Sequence, residues 1–311
     1  MVSNYLDKIL DYIGDKNPMH YKKLKKNTYR NDAQYVERAE TFFKNYEELL
    51  AKENKDLPYA LDCYLQMCSD MMYEQIRFAE TGAYTSTSFD EVNERVYGNP
   101  EIMGYYMHGL LVSQYLWEHH YNVLQFFFNN INKYSKGVKH VLEIGGGHGL
   151  YTNEIIQHFN FDFSYTMVDI SQTSINMSKA FVKGNKVDYL LMDVYKYESD
   201  KKFDFIIMGE VLEHVENPLG LMKKLYTLAA DNVTAFITAP CNSPTIDHIY
   251  LFKHPGEITA LLNDAGWDVI QDIVASSETK KSIAVDDPLI PVMYAAFVKK
   301  HEFGPQDRLS R

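Results

Sequence analysis

Hydrophobic positions recur at two different periods along this chain, and the change from one to the other falls near residue 135. Before it, Val36, Ala39, Phe43, Tyr46 and Leu50 step by three and four, which places them on one face of a helix, and Leu61, Leu65, Cys68, Met72, Ile76 and Ala79 do the same. The polar run from Thr81 to Ser88 reads as a loop, Ser88-Phe89-Asp90-Glu91 as a capping box, and Asn99-Pro100 as the N-cap and first residue of another helix. Residues 1–135 are therefore expected to be all-helical.

After residue 135, short apolar runs alternate with helical stretches. Val141–Ile144, Tyr165–Val168, Val187–Met192, Phe203–Met208 and Val233–Thr238 read as strands, and runs at Trp267–Val274 and Val292–Lys299 bring the count to seven. Between them, Asn217-Pro218 starts a helix through about Ala230, and a second helix from Pro255 to Ala265 stops at Gly266. The pattern predicts an α/β region over 136–311, joined to a helical region over 1–135.

A chain of 311 residues exceeds one typical domain, which agrees with that division. Its hydrophobic fraction of 46% and charged fraction of 23% are those of a globular protein. The net charge of −11 argues against a nucleic-acid partner, because a phosphate backbone is bound by clustered Lys and Arg. The one basic run, Lys22-Lys23-Leu24-Lys25-Lys26, reads as a solvated helix face. Cys63, Cys68 and Cys241 are too few and too irregular for a disulfide framework or a zinc site. The first residues lack the pattern of a signal peptide, and no run approaches the roughly 18 apolar residues of a membrane span, so a cytoplasmic location without membrane association is expected.

From Tyr105 to Phe128 the chain becomes unusually aromatic: Tyr105, Tyr106, Tyr115, Trp117, Tyr121 and Phe126 to Phe128, with His108, His119 and His120 among them. One helix cannot bury all of these against one neighbour, so some are expected to face the second domain or a cavity between the two. Tyr106 and Trp117 are the candidates to line it.

Candidate chemistry concentrates at Val141-Leu142-Glu143-Ile144-Gly145-Gly146-Gly147-His148-Gly149, a strand that breaks into a glycine turn and then a helix. Glycines there let the backbone approach a nucleotide-like ligand closely. A dinucleotide site needs G-x-G-x-x-G. Counting from Gly145 or from Gly147, the third glycine position is Leu150 or Thr152, so that pattern fails in both registers. What fits is E-x-G-x-G-x-G. Downstream, Asp169 ends the second apolar run, 169 − 145 = 24 positions after the first glycine, where an acidic residue can accept from ribose hydroxyls. Asp193 ends the third run, and the fourth leads into Gly209-Glu210-Val211-Leu212-Glu213-His214-Val215.

In these four motifs and their order the chain resembles the class I S-adenosylmethionine-dependent methyltransferases, in particular the small-molecule branch that includes the quinone-biosynthesis enzymes. The resemblance covers about Lys139 to Lys300. It implies a Rossmann-like, seven-stranded, doubly wound sheet whose last two strands form an antiparallel hairpin connected by Ala275 to Pro288; the N-terminal helices lie outside the resemblance and are expected to form a cap. It implies S-adenosyl-L-methionine as cofactor and S-adenosyl-L-homocysteine as product. The matching cofactor positions are Glu143, Gly145, Gly147 and Gly149 along the methionine moiety, Asp169 and Ile170 at the ribose, Met192, Asp193 and Val194 near the adenine, and Glu210 at the rim.

Methyl transfer is an in-line displacement in which positioning supplies much of the catalysis, and an alcohol, phenol or protonated amine acceptor also gains from a base. The best candidate is His248 in Asp247-His248-Ile249-Tyr250-Leu251-Phe252, after the fifth strand, with Asp247 able to orient its ring. His214 and Tyr250 are expected to line the substrate site, His214 with a packing or hydrogen-bonding role. His148 is expected to lie exposed beside the cofactor. No metal is expected: adjacent His119 and His120 point to different sides of a helix, and His248, His254 and Asp247 would meet only if their loop folded back. The expected reaction is methylation of a hydroxyl on a small, aromatic or metabolite-like acceptor held between helical cap and sheet. N- or C-methylation of a small metabolite or peptide is the alternative, as is a catalytically silent cofactor-binding partner subunit. A homodimer is left open.

Overall fold

The computed structural model describes residues 4–184, 186–277 and 290–301. Seven helices come first: α1 (Tyr5–Lys16), α2 (Pro18–Leu24), α3 (Ala33–Lys52), α4 (Leu57–Thr81), α5 (Phe89–Val92), α6 (Pro100–Leu116) and α7 (Glu118–Tyr134). A single π turn over Asn93–Tyr97 follows α5. As the sequence predicts, Asn99 caps α6, its Oδ1 accepting from the N–H groups of Glu101 and Ile102 at 3.0 and 3.3 Å, with Pro100 at the first position. The capping box at Ser88 does not form. Its hydroxyl caps nothing, and the Phe89 N–H donates to Glu216 across the cavity mouth at 2.9 Å. Helix α4 exists, but its buried face is rotated from the predicted stripe. Of that stripe Leu61 is buried, Leu65 and Cys68 are half-buried, and Met72, Ile76 and Ala79 are exposed, while Tyr64, Met67 and Phe78 are buried instead.

The C-terminal part alternates β1 (His140–Ile144), α8 (Leu150–His158), β2 (Ser164–Asp169), α9 (Gln172–Phe181), β3 (Val187–Leu191), β4 (Phe203–Gly209), α10 (Pro218–Leu228), β5 (Ala229–Cys241), α11 (Pro255–Asp264), β6 (Trp267–Ser276) and β7 (Val292–Lys300). The sheet order is β3-β2-β1-β4-β5-β7-β6. β1 to β5 are parallel and β7 runs antiparallel to both β5 and β6. This is the expected doubly wound sheet with its antiparallel edge pair. Of the expected connection Ala275 to Pro288, residues 278–288 lie outside the described residues.

Alternation along each strand divides the core in two. Leu142, Ile144, Ile206, Met208, Ala235 and Ile237 meet Leu221, Met222 and Leu225 of α10 and Ile258 and Leu262 of α11. Their neighbours Val141, Phe205, Ile207, Phe236 and Phe297 face the other way, onto Ile155 of α8 and Val123, Phe126, Phe127 and Ile131 of α7. Helix α7, grouped by periodicity with the helical region, thus packs on the sheet through Phe127, whose ring lies 4.9 Å from that of Phe236. Its opposite face, Tyr121 and Leu124, joins the core of the helical region. Because β1, β2, β3, β4 and β5 all point the same way, their C-terminal ends open on one crevice, and α6 with α2 and α4 roofs it.

Candidate functional site

A cavity of about 1720 Å³ fills that crevice, lined by the strand ends below and by helices of the N-terminal region above. Pockets for a single small ligand usually measure about 300–1,000 Å³, so there is room for two molecules side by side.

Its floor is the glycine turn. Gly145 has φ +64°, and a Cβ there would sit 2.5 Å from Val211 Cγ2. Gly149 has φ +80°, and a Cβ there would meet Ser178 Oγ at 2.4 Å. Gly145, Gly146, Gly147 and His148 line the cavity, while Gly149 lets α8 start against α9 without lining it. Asp169, at the end of β2, holds this turn in place: Oδ2 accepts from the Gly147 N–H at 3.0 Å and Oδ1 from the Ser171 N–H at 2.8 Å. Each carboxylate oxygen has a further lone pair for a ligand. Ile170, Met192, Asp193 and Val194 line the same end, with Asp193 Oδ1 accepting from the Tyr195 N–H at 2.9 Å.

Glu143 lines the cavity beside the glycine turn. Its Oε2 accepts from the hydroxyls of both Thr152 and Tyr165, so the side chain ties β1 to α8 and β2 behind the turn, and burial pushes its carboxyl up to about 7. Glu210 adopts φ +54°, a left-handed conformation uncommon outside glycine, and locks it with Thr238. The Glu210 N–H donates to Thr238 Oγ1 at 3.0 Å, and that hydroxyl donates back to Glu210 Oε1 at 2.6 Å. The strained residue turns the chain after β4 so that His214 follows on the cavity wall, with Glu213 fully buried beside it in sequence.

The loop after β5 is pinned over this turn by the N–H groups of Ile249 and Tyr250, both donating to the Glu213 carbonyl at 2.8 and 2.9 Å. Arg95 reaches down from the helical region to the Ile246 carbonyl at 2.7 Å. His248 is buried with Nδ1 2.6 Å from the Ser243 carbonyl oxygen. A carbonyl only accepts, so Nδ1 carries the proton and Nε2 the lone pair. Burial holds this imidazole down to about 3, keeping it neutral. Asp247 does not orient His248 as expected. It accepts from Thr245 at 2.8 Å and faces His214 and the Tyr97 hydroxyl instead. His214 places Nδ1 2.9 Å from the Tyr97 hydroxyl and 3.1 Å from the Asp247 carbonyl.

Of the expected acceptor-lining residues, Tyr106, Trp117 and His214 line the cavity. Tyr250 does not. It is 37% exposed and turns away to pack on Phe252, because the backbone bond to Glu213 fixes the loop the other way up. His148 is not exposed either: it is half-buried, and its Nδ1 accepts from the Leu150 N–H at 3.2 Å. The basic run is solvent-exposed as expected, yet Lys22, Lys23 and Lys26 border the cavity mouth.

The sequence reading missed two features. Tyr97, in the π turn, had no motif to mark it. Glu213, fully buried, gathers with His214 and His248 so that their ligating atoms all lie within 4.8 Å of one another. The expectation of no metal site weighed His254 in place of His214. His254 instead caps α11, its Nδ1 accepting from the Gly256 N–H at 2.9 Å. The E-x-x-E-H spacing followed by a histidine after β5 was the available signal.

Comparison with known proteins adds the following. A family model described as a methyltransferase domain matches residues 116–284. A Rickettsia bellii ubiquinone biosynthesis O-methyltransferase is 30% identical over 194 residues, covering 53% of this chain and 76% of that one. A Papaver bracteatum protein bearing the name of an (S)-tetrahydroprotoberberine N-methyltransferase is 33% identical over 113 residues, or 35% of this chain and 31% of its own. Among solved structures, mitomycin 7-O-methyltransferase shares the fold at 10% identity, with a TM-score of 0.51 over 74% of this chain and 67% of its own.

Proposed function

The chain belongs to the class I S-adenosylmethionine-dependent methyltransferases, and from that premise we propose that it methylates a hydroxyl of a small, largely apolar acceptor held between the helical region and the strand ends. The observation that carries this reading is the continuity of the cavity, which runs from the glycine turn to Tyr106 and Trp117 without a dividing wall. One molecule fits at the strand ends and a second under the helices.

The residues present fit the cofactor. Gly145 and Gly147 offer backbone at positive φ on the cavity floor, and Asp169 and Asp193 stand at the ends of β2 and β3 as acceptors. When bound, S-adenosylmethionine supplies an electrophilic methyl group on a sulfonium. Asp169 accepts from the ribose hydroxyls while keeping its bond to the Gly147 N–H, so donor binding and turn geometry are coupled. Glu143 holds the turn rigid from behind. Met103, Met107 and Trp117 exclude water from the transfer region, and Tyr106 offers it a buried hydroxyl that has no partner among the described residues. His248 presents Nε2 toward the acceptor as an electron pair on a neutral ring. A ring held near 3 stays neutral at physiological pH, so its lone pair is free to accept from the acceptor hydroxyl.

Relatives named for O-methylation support a hydroxyl acceptor, and the relative named for N-methylation keeps an amine in the test. The experiment is incubation of the full chain with S-adenosylmethionine and panels of phenols, alcohols, amines and carbon acids, read by product mass, beside calorimetry with S-adenosylhomocysteine. Methylated phenols or alcohols support the proposal. Methylation of amines or carbon acids alone overturns it, and tight cofactor binding with no turnover on any panel favours the partner-subunit reading.

A further inference from the structure

Of the lysines in α2 and the turn after it, Lys22, Lys23 and Lys26 line the mouth of the cavity, while Lys25 lies over the Tyr21 ring at 4.8 Å. They are the cavity's cationic side chains: among the described residues that line it there is no arginine and no other lysine. Its acids lie elsewhere. Apart from Glu118, whose carboxylate accepts from the Thr28 hydroxyl at 2.7 Å, the carboxylates lining the cavity belong to the strands or the loops that follow them. In a chain of net charge −11 this cavity is therefore acidic at the cofactor end and basic at the mouth.

The basic end is held in place. Trp117 Nε1 donates to the Tyr64 hydroxyl at 2.6 Å, and because an indole only donates, that hydroxyl donates its own proton to His20 Nε2, also at 2.6 Å. Tyr64 is fully buried, so these bonds fix α2 to α4 and to the end of α6. On the other side of the lysines, Asn27 Nδ2 donates to the Leu116 carbonyl at 3.4 Å. Burial holds His20 down to about 4, so the positive charge here is the lysines' own. From Met71 on α4 to Met107, whose sulfur lies beside Gly147, the lining is apolar, with Leu65, Met103 and Leu110 between. Methionine adapts its shape to whatever apolar chain or ring packs along it. A cofactor at the upper end of ordinary pocket volumes, about 1,000 Å³, would leave about 700 Å³ of the 1720 Å³ for the acceptor.

Resting on the hydroxyl-methylation reading above, we infer that the acceptor is an amphipathic anion. Its hydroxyl lies at the strand ends, its apolar body runs along the methionines, and a carboxylate or phosphate at its far end pairs with Lys22 and Lys26, with Lys23 beside them. A lysine ammonium meets either anion as a point charge, so the two share one recognition chemistry. The lysines are exposed, so the pairing adds selectivity of modest size and weakens with salt.

The test uses the full chain saturated with S-adenosylhomocysteine, titrated by calorimetry with a phenol carrying a para octanoate chain, with its methyl ester, and with the analogue ending in phosphate. At least one of the two anions is expected to bind about tenfold tighter than the ester at low salt, the size of two exposed ion pairs, and the gap should close as salt is raised. Lys22→Gln combined with Lys26→Gln should bring that anion to the affinity of the ester. The same variant should keep its affinity for the ester and for S-adenosylhomocysteine, which reports that the fold is intact, within about twofold of wild type. Equal binding of both anions and the ester, binding of none of them, or a preference that survives in the folded variant overturns the inference. Vesicles of phosphatidylglycerol and of phosphatidylcholine separate a lipid surface from a free acceptor: lysine-dependent binding to the anionic vesicles, with no preference among the soluble probes, assigns the lysines to a headgroup and overturns the inference too. Product mass keeps the two readings apart. A chain that prefers the anions but methylates no hydroxyl overturns the proposed function alone, and one that methylates phenols with no preference for the anions overturns this inference alone.

Discussion

The carboxylate of Asp169 accepts a hydrogen bond from the backbone N–H of Gly147 at 3.0 Å, joining the end of β2 to the middle of the glycine turn 22 residues earlier. One side chain therefore shapes the turn and also faces the ligand that the turn receives. Asp169→Ala is expected to weaken S-adenosylhomocysteine binding by about 1.5–3 kcal/mol, the loss typical of a hydrogen bond to a charged group. Calorimetry giving wild-type affinity would remove Asp169 from the cofactor site.

His248 faces the acceptor end and touches none of the glycine turn. His248→Ala should leave cofactor affinity unchanged and lower kcat by roughly 10²-fold or more. If steady-state kinetics show a raised KM with kcat intact, His248 is an acceptor contact and not a catalytic residue.

Gly149→Ala tests the packing of α8 against α9 apart from ligand binding. The new methyl would lie 2.4 Å from Ser178 Oγ and 3.0 Å from Ser178 Cα, on a residue at φ +80°. Strain of this kind costs on the order of 1–3 kcal/mol. The urea midpoint should fall accordingly, and a midpoint equal to wild type would show that the two helices slide apart freely.

His108 gives a pH dependence with a definite sign. It is buried between the Tyr46 hydroxyl and the Lys55 ammonium, and burial holds its pKa down to about 4 from an ordinary 6.5. The unfolded chain therefore binds a proton in a window, pH 6.5 down to 4, where the folded chain does not. The resulting stability is fully present above 6.5 and is lost as the pH falls through that window, by about 2 kcal/mol at pH 5. His108→Gln should flatten part of the decline in melting temperature between pH 7 and 5; an identical slope in wild type and variant would refute the assignment.

The fold was legible because its signals are local. The apolar run from Val141 to Ile144, a glycine turn, and acidic residues at strand ends each depend on a few neighbours in sequence. What escaped depends on which way a side chain turns once the chain is folded. The backbone hydrogen bonds from Ile249 and Tyr250 to Glu213 direct Tyr250 outward, and the bond from Thr245 draws the Asp247 carboxylate toward His214 and away from the His248 it was expected to orient. Glu213, His214 and His248 were all visible as residues. Their convergence required the left-handed turn at Glu210 and the loop over it, neither of which leaves a periodic trace.

The two-sided packing of α7 decides where this chain can be cut. Ending a fragment's deletion at residue 135 would strip Val123, Phe126, Phe127 and Ile131 from the sheet and leave Phe236 and Phe297 facing water. The smallest piece expected to fold as a cofactor-binding unit begins no later than Glu118, so grafting a different helical roof onto this sheet would have to place its junction at Trp117, inside the acceptor wall itself.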